Sequence, residues 1–200
     1  MPKALVDTGS GPWVVRSLAV LEACDPRLVV IGASAEKVSA LVPADVRVVT
    51  NPEYQQGMGS SLRAGLTALT ALAGLAKVPA HTTATGAIAE PPIDAALVML
   101  VDLPGVGAEV IARVLAAARA CDVRAGDVRA GDVRSALVRA AYDGQPGHPV
   151  LLGRDHWAGA AAAVSGDRGA RDYLSTRAVW LVECADIGSG MDVDRPTASG

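Results

Sequence analysis

The 200-residue chain is half hydrophobic, contains no Phe, has only 3% aromatic residues and carries a net charge of −3. That balance argues against a nucleic-acid partner, which needs a basic face. With no run of 18 apolar residues and no signal-peptide pattern, a membrane role is not expected either. Length and hydrophobic content fit one α/β domain spanning 1–200, with a core of Ala, Val and Leu. Cys24, Cys121 and Cys184 form no CxxC pair and read as buried thiols of a reducing cytoplasm.

Apolar runs alternate with helical patterns, which suggests βαβ units and a mostly parallel sheet. Ser10-Gly11-Pro12 opens a helix running to about residue 24, with Pro12 in its first turn. A buried strand follows at 27–31. Ser34 is placed to cap a short helix ending before Pro43, and 46–49 is a second strand. Residues 59–76 have helical spacing, with Leu62, Leu66, Leu69 and Leu72 on one side. The Thr-, Ala- and Pro-rich stretch 77–94 reads as a surface loop. AALVMLV at 95–101 is the strongest strand, followed by a helix at 109–121. DVRAG at 122–126 recurs at 127–131, ahead of DVRSA from 132. Two copies are too few for a solenoid; the repeat reads as a duplication lengthening a loop, since loops absorb insertions cheaply. Strands at 136–142 and 149–152 are joined by a turn, DGQPGH. Helices at 156–164 and 170–175 and a strand at 179–182 complete the chain.

Five places carry candidate chemistry. Asp102 follows the strongest strand, where open α/β sheets bind ligands. It either holds Mg²⁺ against nucleotide phosphates or ends the strand and caps the next helix. Asp192 and Asp194 alternate along MDVDRP, so both carboxylates face one way; they form a cation site or a solvated acidic turn. NPEYQQGMGSSL at 51–62 enters a helix through Gly57 and Gly59, offering backbone N–H groups to an anion or base edge. His148, between Gly147 and Pro149, either donates into a pocket or is structural. In GDRGAR at 166–171, Asp167 is placed to cap a helix and Arg171 to meet a phosphate, or the segment is a loop with an ion pair.

In this order, PKAL at 2–5, NPEYQQGMGSSLRAGL at 51–66, VMLVDLPGV at 98–106, GQPGHPVLL at 144–152, GDRGARDYL at 166–174 and DVDRP at 192–196 resemble one family. It is the MobA-like NTP transferases, in particular their molybdenum cofactor cytidylyltransferase branch. The resemblance implies a Rossmann-like α/β nucleotidyltransferase domain that uses Mg²⁺. It would join CMP from CTP to a molybdenum–pterin cofactor and release pyrophosphate, with a molybdenum hydroxylase as a further partner. By matched position, Lys3 resembles the lysine ending the family's Gly-rich signature and Asp102 its metal-binding aspartate. Gly57, Met58, Ser60, Ser61 and Leu62 fall in the turn that contacts base and ribose. That turn lacks the Gly-Pro start of guanine-selecting relatives, which favours CTP over GTP. His148 would line the acceptor side, and one of Asp192 and Asp194 would share the metal with Asp102.

The departures lie at the ends. The family signature, a strand followed by L-A-A-G-x-x-x-R-M-G-x-P-K, is represented here only by Pro2-Lys3, so the first strand and glycine loop are expected to be missing. The family's helix after DVDRP is expected to be missing as well. Three lost loop hydrogen bonds, each worth roughly 1.5–3 kcal/mol, would weaken nucleotide affinity ~10³-fold or more. The first strand of a doubly wound sheet is central, so a gap beside 95–101, or two strands closed over it, is expected, with poor solubility. Two other functions compete. One is an NAD(P)H-dependent oxidoreductase of nicotine blue type, a group that shares the motifs, although no GxGxxG or flavin signature is present. The other is a non-catalytic molybdenum-cofactor chaperone.

Overall fold

The computed structural model describes residues 2–75, 92–120, 132–164 and 166–193. The DVRAG duplication, Cys121, Asp194 and all but the last three residues of the 77–94 loop lie outside them. Helix α1 (Trp13–Ala19) leads to β1 (Leu28–Ile31), α2 (Ala35–Ser39), β2 (Arg47–Thr50) and α3 (Met58–Leu75). Then come β3 (Ala95–Val98), α4 (Ala108–Arg119), β4 (Leu137–Tyr142), β5 (Gln145–Gly153), α5 (Trp157–Ala163), α6 (Arg171–Ser175) and β6 (Trp180–Glu183).

The expected single sheet is divided. β1 and β2 form a parallel pair, and the other strands make a four-stranded sheet in the order β3-β5-β4-β6. β5 is antiparallel to both β3 and β4, while β6 is parallel to β4, so β3, β4 and β6 share a direction and only β5 opposes it. α4 covers one face of this sheet through Val110, Ile111 and Val114, against Val138, Ala140 and Leu151. On the other face Leu66 of α3 joins Leu137, Val150 and Leu152, with Trp157, Ala160, Tyr173 and Leu174. A third cluster, Val14, Leu18, Ile31, Val38 and Val46, packs α1 and α2 on β1. The core is therefore mainly aliphatic, as composition demands, but Trp13, Trp157 and Tyr173 also enter it. Trp157 satisfies its indole N–H on the Leu152 carbonyl at 2.9 Å.

The gap expected beside the strongest strand is present. β1 has no pairing partner but β2, and β3 none but β5, among the described residues. Both strands line one cavity of about 530 Å³. Leu62, Leu66 and Leu69 of α3 contribute to its wall, as do Val14 and Leu18 of α1 and Leu115 of α4.

Several boundaries differ from the sequence reading for local reasons. β3 stops at Val98, paired with Val150; the next antiparallel partner would be Pro149, which has no N–H to give. β5 begins at Gln145, because Asp143 and Gly144 (φ 51 and 75) make the tight two-residue turn that Asp-Gly favours. α1 ends early, and residues 20–24 continue as turns such as Cys24 N–H to the Leu21 carbonyl, ahead of Pro26. Ser34 precedes α2 in the left-handed region (φ 54) and its side chain makes no capping hydrogen bond. No described helix is long and apolar enough to cross a membrane. Cys24 is half-buried and Cys184 buried, both as free thiols.

Candidate active site

The segment after β3 carries Asp102. Ser17 of α1 donates to the Val101 carbonyl at 3.2 Å and fixes the path of the chain there. Asp102 is 9% exposed, and the Lys3 ammonium meets its Oδ2 at 2.7 Å. Two residues 99 apart in sequence thus form one charged pair beyond a strand's carboxyl end, where ligands of open α/β sheets gather.

The last described segment runs back along this loop. Ser189 N–H donates to the Gly105 carbonyl and Val193 N–H to the Asp102 carbonyl, each at 3.0 Å. A Cβ on Gly105 would stand 2.7 Å from the Ser189 oxygen, so this close approach needs glycine. These bonds bring exposed Asp192 beside Asp102. The donor set fits a hard divalent cation of the magnesium type, held by one or two carboxylates with phosphate and water completing the shell. Among the described residues no group of three His, Cys, Asp or Glu side chains makes a closed protein cage.

The turn into α3 divides by role. Asn51 is the hub: its Nδ2 donates to Ser60 Oγ at 2.8 Å and Ser61 Oγ at 3.1 Å, while its Oδ1 accepts the Glu53 N–H. Ser60 is buried, with backbone carbonyls of Glu53 and Gly57 at 2.9 and 2.8 Å from its hydroxyl. Met58, Ser61 and Leu62 face the cavity, as does His148. Gly57 and Ser60 stand behind them. The Met58 amide is capped by Asp167 Oδ1 at 3.3 Å, so Asp167 caps α3 rather than the helix of its own segment. Arg168 pairs with Asp172 at 3.3 Å, the ion pair anticipated for that loop.

His148 sits in the same wall, its carbonyl accepting the Tyr142 hydroxyl at 2.8 Å. Burial pushes its imidazole down to about pKa 4; the nearby Arg139 adds to this and Asp102 opposes it. It is therefore neutral at pH 7 and able to donate or accept one hydrogen bond. Met58, Ser61, Leu62 and His148 thus line one opening together with Val101. Asp102, paired with Lys3, follows Val101 directly, and Asp192 precedes Val193, whose N–H meets the Asp102 carbonyl, while Asp194 lies outside the described residues. Arg139, which the sequence reading passed over, belongs to the same neighbourhood. Its signal was a lone cation inside the apolar strand LVRAAY.

A family model for the MobA-like NTP transferase domain matches residues 1–181. The nicotine blue oxidoreductase of Paenarthrobacter nicotinovorans is 31% identical over 206 residues, covering 96% of this chain and 83% of its own. Among solved structures, the Mycobacterium sp. strain JC1 homolog of Mycobacterium tuberculosis Rv0371c matches with TM-score 0.67 and 23% identity, over 97% of this chain and 82% of the other. Rv0371c in complex with manganese, from M. tuberculosis H37Rv, gives 0.59 and 20%, over 91% and 81%. A 4-diphosphocytidyl-2C-methyl-D-erythritol synthase gives 0.58 and 22%, over 98% and 89%. The structural likenesses establish a shared fold. With the family match running from the Lys3 segment through β4, β5 and into β6, the chain belongs to the MobA-like NTP transferase family.

Proposed function

We propose that this nucleotidyltransferase domain moves a cytidylyl group from CTP to the phosphate of a molybdenum–pterin cofactor. The observation that carries the reading is the Lys3–Asp102 pair, directly after Val101 of the cavity wall that also carries Met58, Ser61, Leu62 and His148. In the reaction an acceptor phosphate oxygen attacks the α-phosphorus of the nucleotide. A new phosphoanhydride bond forms, the α–β bond breaks and pyrophosphate leaves; a phosphate dianion has no proton to lose. Positioning and charge neutralisation do most of the work in such transfers. Lys3 would compensate charge on the phosphates. Ser61, with its hydroxyl proton available, and the backbone of 58–62 would hold the nucleoside. A divalent cation held by Asp102, with Asp192 or Asp194, would screen the charge of the reacting phosphates. The manganese complex of Rv0371c supports a divalent metal, and the diphosphocytidyl synthase supports a cytidine nucleotide. Cytoplasmic location follows from the same reading.

Heat denaturation with 1 mM-scale MgCl₂ and single nucleotides tests this. CTP should raise the unfolding midpoint more than GTP, since a ligand present at 100 Kd adds about 2.7 kcal/mol to stability. CTP-dependent pyrophosphate release should vanish in Asp102→Ala. A larger GTP effect would overturn the cytidine assignment, and undiminished release from the variant would overturn the role of Asp102. The 31% identical relative's name supplies a second reading, an oxidoreductase, which the resemblance drawn from the sequence ties to NAD(P)H. Stabilisation by NADPH, with none by CTP, would select it.

A further inference from the structure

Arg139 is an unusual residue for its place. It lies in the middle of β4, hydrogen-bond paired on both sides, against Val150 of β5 and Leu181 of β6. Its neighbours Val138 and Ala140 point into the cluster under α4. By strand alternation Arg139 points to the opposite face, the side of Leu137 and of α3, α5 and α6. There its Nε donates to the Gly147 carbonyl at 2.7 Å, which holds the guanidinium beside His148. No carboxylate pairs with it among the described residues, and its two terminal nitrogens have no partner there.

Another cation lies within electrostatic reach of Arg139. Arg171 opens α6 on the same face, two residues after Gly169 and directly after Ala170, both of which line the cavity with His148. Arg171 also has no carboxylate partner among the described residues. Burial lowers the pKa of Arg139, and Arg171 lowers it further. A half-buried guanidinium held next to a like charge is costly unless something neutralises both. The fixed fork of an arginine matches phosphate oxygens two at a time.

We propose that Arg139 and Arg171 form the anion-binding half of the acceptor subsite, taking a phosphate monoester beside His148. Which phosphate it is rests on the nucleotidyl-transfer reading; the anion site itself does not. His148 is within electrostatic reach of both Asp102 and Arg139, so this anion would lie near the charged pair that faces the nucleotide. Two guanidiniums offset the repulsion between a dianionic nucleophile and the nucleotide's phosphates. The neutral imidazole contributes one hydrogen bond without adding charge.

Inorganic phosphate, titrated calorimetrically into the purified protein at fixed ionic strength, is the probe. The site predicts saturable binding of one phosphate per chain. R171Q, at an exposed position, and R139Q should each weaken it about ten-fold or more, because hydrogen bonds to charged groups are the strong ones. R139K, which keeps the charge but loses the fork, should fall between R139Q and the wild type. R47Q removes the same charge from exposed β2 and should change binding less than about two-fold. If R139Q fails to fold, R171Q against R47Q carries the test. Absence of phosphate binding to the wild type, equal losses in R47Q and R171Q, or an unchanged R139Q/R171Q double variant would each overturn the site. Phosphate held through both arginines, with no pyrophosphate release from any nucleotide and phosphorylated acceptor, would support the site while sinking the transfer reading. Transfer with an acceptor KM unmoved in R171Q would do the reverse.

Discussion

At the scale of single residues, the opening is governed by charges that are unequally compensated. Lys3 and Asp102 neutralise one another at 2.7 Å, so removing either leaves the other exposed to the field of whatever binds. His148 gives a direct reading of burial. Its folded-state pKa, about 4, lies below the ordinary value of 6.5. The unfolded chain therefore binds the proton first, and stability is complete above pH 6.5. As pH falls from 6.5 towards 4, stability is lost, and the loss levels off below that. The full effect is at most about 3 kcal/mol, from 1.36 kcal/mol per pKa unit. Urea unfolding midpoints should drop between pH 7 and pH 4.5, and the drop should shrink in His148→Gln. An identical pH profile in that variant would mean that other groups carry the dependence.

At the scale of elements, Gly57 is where two segments close on one another. Its backbone (φ 100, ψ 178) lies in a region essentially reserved for glycine. A Cβ there would stand 2.5 Å from both Asp167 Oδ1 and the Gly166 carbonyl carbon. Gly144 also has positive φ, at 75, but opens on empty space. Gly144→Ala should cost about 1–2 kcal/mol, the strain of the left-handed region alone. Gly57→Ala should cost more, because it also pushes Asp167 off the Met58 amide, and denaturant midpoints would order the two. The reverse order would show that the 166–167 loop yields freely. The same elements show what the sequence could convey. Alternating apolar runs and turn residues located the six strands and the helices of the described residues, and a carboxylate after the strongest strand singled out Asp102. The start of β5 was less legible: DGQPGH reads as one turn with the strand beginning at Pro149, whereas Asp143-Gly144 alone makes the turn. Arg139 was hidden because a lone cation in an apolar strand acquires meaning only from the face it points to and the second arginine beside it. The pairing of Asp167 with Met58 spans 109 residues, and no local pattern encodes such a contact.

At the scale of the molecule, the two sheets meet across the cavity rather than through hydrogen bonds. β4 is paired on both sides, by β5 and β6, whereas β1 and β3 each present one unpaired edge to an apolar cavity of about 530 Å³. In a strand, successive N–H groups point to alternate sides, so the two halves of each edge strand should differ in protection. Amides of 28–31 directed at β2, and of 95–98 directed at β5, are held by the ladder. Those directed at the cavity are not, and exchange without waiting for the sheet to open. Native-state hydrogen exchange resolved by NMR should therefore show fast and slow amides alternating along β1 and β3. Val138 and Ala140 of β4 should be uniformly slow, near the limit set by global unfolding. Adding CTP should slow the amides around the opening, at 58–62 and 101–102, more than those along the cavity-facing edges, because the nucleotide would sit beyond the strand ends and not between the strands. Uniform protection along β1 and β3 in the free protein would mean that the two sheets are joined in solution, and the division into two sheets would have to be abandoned.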